Sequence, residues 1–274
     1  MLNNRQVVPV PLAAGLLAVM AAVAAPATAQ ELAPHRAVYS VTILERGKPD
    51  GGTPGTYAYE IKLTCDGYVV NQRLKLEIAG ARTPIVSEQQ SQMTESRDGR
   101  KFSFDHRSTA NGKQTGLFKG EALLGDDGSG QARFAEPEGQ TAALPAGTLF
   151  PVAMARAAIR QAKANESGLD ALFFFGDKVK PPQAVNVVIG KVPKRLAELK
   201  IPEGAEALVE GRARIYYRAG FFDILTKGQG DPAFEMSSVT LDNGIELFGT
   251  HEEAESGIEY RITRLEALPK PECK

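Results

Sequence analysis

Apolar and polar residues alternate with a period of two along much of this chain. Tyr57, Tyr59, Ile61, Leu63 and Cys65 interleave with Ala58, Glu60, Lys62 and Thr64. The next segment repeats the arrangement, with Tyr68, Val70, Leu74, Leu76 and Ile78 set against Asn71, Arg73, Lys75 and Glu77. Successive side chains of a strand point to opposite faces, so this alternation predicts antiparallel strands with one packed face and one wet face. His35 to Leu44 reads the same way, placing Ala37, Tyr39, Val41 and Ile43 together. Further strands are predicted over 114–124, 184–189, 210–218, 234–241, 245–250 and 258–268. Between such runs stand Asp66-Gly67, Asp98-Gly99, Asn111-Gly112, Asp127-Gly128 and Asn243-Gly244, dipeptides that tolerate the positive φ of a tight hairpin turn. A meander of hairpins in an all-β fold is expected, as a sandwich or a barrel.

One segment breaks the rhythm. Thr148 to Ala164 is rich in helix formers and places Val152, Ala155, Ala158, Ile159 and Ala162 on one face. Thr148 can serve as its N-cap, Pro151 suits an early helical position, and arginine and lysine gather toward its end. Such a helix would pack its narrow face on a sheet or plug the interior of a curved one. Residues 191–207 read as loop with a short helix. No stretch is long and polar enough to act as a linker, so 30–274 is expected to form a single domain.

The first 29 residues stand apart. Arg5 lies in a short polar start, Leu12 to Ala25 is almost wholly Leu, Ala, Val and Met, and Ala27-Thr28-Ala29 is a small-x-small cleavage site. The apolar run is shorter than the roughly 18–20 residues needed to span a membrane, so 1–29 is read as a cleavable export signal. The protein is then expected to be soluble and periplasmic. Its only cysteines, Cys65 and Cys273, lie beyond the signal, where a pair can be oxidised once and kept. Losing Arg5 takes the formal net charge from −1 to −2, and no basic stripe remains to recruit nucleic acid.

Candidate chemistry is sparse. His35, His106 and His251 are widely separated, and the stretch His251-Glu252-Glu253-Ala254-Glu255 lacks the second histidine of a zinc helix. It reads as a solvated acidic loop. There is no Gly-x-Ser-x-Gly turn to carry a nucleophile and no phosphate-cradling glycine loop. Asp126-Asp127-Gly128-Ser129 reads as a turn instead of a calcium loop, and no metal or cofactor is expected. Phe173, Phe174 and Phe175, within an apolar run, form either a core strand or the lining of a pocket for a lipid, an apolar peptide or a partner. Tyr216-Tyr217 and Phe221-Phe222 pose the same alternative.

Several segments in fixed order resemble one family. They are Pro34-His35-Arg36-Ala37-Val38-Tyr39, then Cys65-Asp66-Gly67-Tyr68, then Glu95 through Phe104, then Leu144 through Pro151, and finally Leu265-Glu266-Ala267-Leu268 with Cys273. Together they resemble the EipB-like cell-envelope-integrity proteins of alphaproteobacterial periplasms. The chain departs from that pattern in having no tryptophan, with Thr94 standing before Glu95. The resemblance implies one large antiparallel sheet wound as a β-spiral or broken barrel around a central helix near 148–164. It also implies a disulfide between Cys65 and Cys273, a role in envelope integrity, a periplasmic tetratricopeptide-repeat protein as functional partner, and no catalytic residues. The function expected is non-catalytic binding of a protein or envelope component. The alternative is a carrier holding a lipid or apolar ligand in the hollow of the curved sheet.

Overall fold

A computed structural model describes residues 30–273 apart from 46, 50, 51, 53, 80–82 and 225–229. The export signal over 1–29 lies outside the described residues. The chain opens with β1 (His35–Glu45), the two-residue β2 (Lys48–Pro49) and β3 (Gly55–Leu63). A long run of hairpins follows: β4 (Gly67–Ile78), β5 (Ile85–Ser96), β6 (Lys101–Ala110), β7 (Lys113–Leu124), β8 (Gly130–Glu136) and β9 (Thr141–Leu144). Strand β10 (Thr148–Leu149) leads into helix α1 (Pro151–Lys163), after which come β11 (Gly168–Phe173) and β12 (Gln183–Gly190). Two single-turn helices, α2 (Lys194–Ala197) and α3 (Glu206–Val209), precede β13 (Arg214–Asp223), β14 (Phe234–Leu241), β15 (Glu246–Glu252) and β16 (Ser256–Ala267).

All sixteen strands belong to one sheet, ordered β10-β11-β12-β13-β14-β15-β16-β1-β3-β4-β5-β6-β7-β8-β9, with β2 beside β1. The first and last strands of that order are consecutive in the chain, so the sheet curls until it is nearly closed. Strand β1 lies mid-sheet, where it pairs with both β16 and β3 and so joins the two ends of the chain. The expected antiparallel sheet is found with one exception. Strands β10 and β11 run parallel, because α1 forms the crossover between them.

Most predicted strands are present, with shifted ends at β13. Four of the five turn dipeptides sit between strands with the glycine at positive φ, and at Asn111-Gly112 both residues take it (φ 49° and 75°), as a tight hairpin requires. Gly67 differs. It opens β4 in extended conformation, where an added Cβ would collide with the Glu95 carbonyl oxygen. Thr148 is not the helix N-cap. It lies in β10 with its hydroxyl donated to the Pro145 carbonyl (2.7 Å), and the N-cap is Phe150, which has no side-chain capping bond of its own. The helix ends at Asn165 (φ 58°), with Glu166 N–H donating back to Gln161 O (3.0 Å), so Asn165 serves as a helix stop.

The inner face of the curl carries His35, Ala37, Tyr39 and Val41 from β1, all buried. Opposite them in register lie Ile61, Tyr59 and Tyr57 of β3. At one end of this face α1 fills the interior. Phe150, Val152 and Ile159 pack with Leu63, Tyr68, Met93, Phe102, Phe104, Leu124, Leu144 and Phe174 in a dry core. Outside the curl, the segment carrying α2 and α3 covers Val239, Leu241 and Phe248 with Leu196 and Ala205.

Cys65 follows β3 and Cys273 follows β16, and the two are disulfide-bonded across a separation of 208 residues. Arg97 donates to the carbonyls of Thr64 (3.0 Å) and Cys65 (2.8 Å), holding the bridgehead loop on the end of β5. Closing so long a loop removes at most about 5 kcal/mol of unfolded-chain entropy. We expect Cys65→Ser to melt below the wild type under oxidising conditions, and reductant to bring the wild type down to the variant's melting temperature. Identical melting of the two oxidised proteins would show that the bridge does not stabilise the fold.

Candidate functional site

The inner face has two ends of different character. At the α1 end Phe102, Phe104, Leu144, Phe150 and Phe174 are all buried. Toward the other end, inward positions remain half-buried: Tyr57, Leu74, Leu76, Ser91, Phe118, Tyr217 and Ile258 all retain accessible surface, and Gln89 is exposed. These residues point into the curl, so their accessible area faces an interior hollow open at that end.

A belt of aromatic rings crosses this hollow. His106 of β6 stacks on Phe175 with centroids 4.6 Å apart, and Phe175 lies 6.2 Å from Phe173. Phe173 meets Phe221 edge-on at 5.7 Å, Phe221 stacks on Phe234 at 4.2 Å, and Phe234 stacks on His251 at 4.5 Å. The rings thus run from β6 through the segment after β11 to β13, β14 and β15. His106 anchors that segment. Its Nε2 bonds the Phe175 carbonyl (2.9 Å) and its Nδ1 bonds Ser91 Oγ (2.8 Å). Burial lowers the pKa of His106, so the neutral ring donates from Nε2 and accepts the Ser91 hydroxyl at Nδ1.

The three phenylalanines of the apolar run do not act alike. Phe174 is in the dry core at 3 % exposure, and its N–H extends the β10 pairing by donating to Leu149 O (3.0 Å). Phe173 and Phe175 are half-buried and belong to the belt. Of the other aromatic pairs, Tyr217 and Phe221 face inward, whereas Tyr216 packs with the covered outer cluster. His251 is not part of a solvated acidic loop. It and Glu252 belong to β15, because pairing with Met236 and Ile258 turns the imidazole inward onto Phe234.

Two carboxyl groups lie inside the curl. Glu95 of β5 accepts the N–H groups of Val152 and Ala153, both at 2.7 Å, and so caps α1 from 57 residues upstream in sequence. Burial pushes its pKa up to about 7, against the pull of those two N–H groups and of Arg156. Glu246, at the start of β15, sits in the middle of the face. The Ser238 hydroxyl donates to its carboxyl (2.5 Å), and a hydrogen bond from Tyr260 reaches the same group. Burial pushes Glu246 to about 7 as well. Its charge is felt by Tyr39, Tyr57, Tyr59, Tyr217 and Tyr260, whose pKa values all rise, chiefly through their own burial. Tyr260 fits its place because Gly249 lies opposite it, where an added Cβ would strike the ring.

The outer face is a lattice of exposed charges. Arg36 and Lys62 flank Glu60, and Arg73 pairs with Glu88. Pairs of this kind contribute little to stability. No group of three His, Cys, Asp or Glu side chains suited to hold a metal occurs among the described residues. No described helix is long and apolar enough to cross a membrane.

A family model matches residues 26–250, spanning the α1 end, the belt as far as Phe234 and both inner carboxyls. The chain belongs to the EipB-like family. A curated relative, the cell envelope integrity protein EipB of Brucella abortus (strain 2308), is 30% identical over 176 residues, and the match covers 62% of each protein. A solved structure of a beta-barrel-like protein of a domain of unknown function, also from Brucella abortus, superposes with a TM-score of 0.76. It is 24% identical and the match covers 88% of this chain and all of that one, which shows the shared fold. The match thus spans a little under two thirds of the curated relative's length.

Sequence reasoning missed Glu95 and Glu246 as interior groups. For Glu246 the signal was a lone acid inside the apolar run Ile245 to Phe248. A carboxyl that titrates near 4.5 unfolded and near 7 in the native protein binds more protons when folded, so stability falls as pH rises between those values. The loss is at most about 3 kcal/mol per group. We expect the melting temperature to drop from pH 5 to pH 7.5 and level off above. Glu246→Gln should flatten part of that slope; an unchanged slope would mean that Glu246 ionises normally.

Proposed function

We propose that this protein supports the cell envelope from the periplasm without catalysis, by holding an envelope component against the inner aromatic belt. The observation carrying this reading is that Phe173, Phe175 and Phe234 face the curl only partly buried, although a filled core beside them buries Phe102, Phe104 and Phe174. Half-exposed rings on a concave face suit an acyl chain or an apolar peptide side chain, which would bury that area and release water. The polar positions Ser91 and Gln89 beside the belt supply hydrogen-bonding groups for the ligand's polar part.

A protein partner is the second reading, and one observation favours it. Ile78 and Ile85 pair across the open end of β4 and β5 and are 38% and 40% exposed. A tetratricopeptide-repeat protein, the partner implied by the family resemblance, would be caught by a crosslinker placed at that hairpin.

Native mass spectrometry of protein taken directly from periplasm tests the first reading. An added mass corresponding to a lipid or apolar peptide is expected on the wild type. It should be lost from Phe175→Ser and Phe234→Ser, with the fold preserved by circular dichroism. A ligand-free wild type, together with no uptake of added fatty acid, would overturn it.

A further inference from the structure

Glu246 raises a separate question, because a carboxyl in the protein interior is costly unless something compensates it. Its partners are hydroxyls: Ser238, itself bonded to Thr240 (2.8 Å), and Tyr260. Among the described residues no lysine or arginine forms an ion pair with it. Tyrosine rings pack around it. Tyr39 and Tyr57 have centroids 5.3 Å apart, Tyr260 lies edge-on 5.6 Å from each of them, and Tyr59 lies 6.4 Å from Tyr57. Tyr39 is further fixed by donating its hydroxyl to the Glu246 backbone carbonyl (3.0 Å). Tyr57, Tyr59, Tyr217 and Glu246 are each only partly buried. The arrangement combines a preset, partly open carboxyl with several electron-rich ring faces.

We propose that this cage is a binding site for a methylated organic ammonium group. Ring faces attract a cation through the π quadrupole, and the attraction is strongest for a weakly hydrated cation in a desolvated site. A methylated ammonium leaves few hydrogen-bond donors to satisfy, which suits a site where the hydroxyls of Tyr39, Tyr260 and Ser238 are already engaged. The carboxylate supplies the opposite charge. A divalent metal does not suit the site, since calcium takes six to eight oxygen ligands and only one carboxylate is present. Neither does a neutral apolar group, which would leave the carboxyl buried and unpaired.

The site does not depend on what the aromatic belt holds. The ammonium group has two sources, a small solute or a lipid head group, and two probes separate them. Tetramethylammonium and, below its micelle concentration, dodecylphosphocholine are titrated at pH 8 into the full mature protein. The readout is tyrosine emission, which is unobscured because the chain has no tryptophan. Saturable binding is expected for at least one probe. It should weaken about tenfold or more in Glu246→Gln and in Tyr57→Leu, and be unchanged in the outward Glu235→Gln. Tetramethylammonium binding assigns the site to small solutes, and dodecylphosphocholine binding alone assigns it to a lipid head group. The neutral isostere neopentyl alcohol should not bind. Equal binding of neopentyl alcohol, equal binding by Glu246→Gln, or no saturable response to either probe would overturn the proposal. Matched melting curves of Glu246→Gln and wild type at pH 5 guard against reading misfolding as lost affinity.

Discussion

Helix α1 arrives at the sheet without a cap of its own, and that lack ties the two together. Its N-cap is Phe150, its first turn carries no acidic residue, and Pro151 removes only one of the unpaired N–H groups at its start. Glu95 supplies the missing acceptor from the far side of the curl, taking the N–H groups of Val152 and Ala153 and facing the positive end of the helix dipole. The interaction fixes where the helix can sit. Arg156, one turn on, then reaches the carbonyls of Gln30 and Arg97. The helix is thereby fastened both to the segment entering β1 and to the end of β5.

The contrast between the two ends of the inner face follows from that placement. Where α1 and Phe150 enter, the curl is filled and its side chains have nowhere to open. Beyond the helix the inner positions of the described strands are only partly buried, and the segment 173–175 runs from the dry core into the belt. Tyrosines, serines and partly wet phenylalanines therefore replace a continuous aliphatic core. The disulfide belongs to the filled end, closing the chain beside the capped helix. Binding groups lie in the part of the fold that packing does not need, supported by the part that it does.

Strands whose inner side is dry were plain in the sequence, because Tyr57 to Leu63 and Tyr68 to Leu76 alternate cleanly. Strand β5 was not. Its inward residues at the open end are Ser87, Gln89 and Ser91, so both faces are polar and the period of two disappears. Strands β6 and β8 were not singled out either, and the short β9 and β10 escaped for lack of length. The same physics hid the candidate site. A hollow is a place where apolar alternation fails, and the belt assembles rings from β6, β13, β14 and β15 that are up to 145 residues apart in sequence, as His106 and His251 are. Thr148 had the right chemistry to cap the helix but lies too early, in β10. The true cap was recognisable only in space, since a glutamate in a polar strand carries no local sign of burial.

A dry end and an open end on one face are the centre of this account, and hydroxyl-radical footprinting measures that difference directly. Methionine and aromatic side chains are oxidised where water reaches them, and both ends contain such residues. Met236, Phe234 and Phe175 are expected to be oxidised in the native protein, while Met93, Phe102 and Phe150, at 2%, 2% and 0% exposure, stay protected. Equal protection of both sets would mean that the inner face is filled from end to end, which would contradict the hollow and both binding readings built on it.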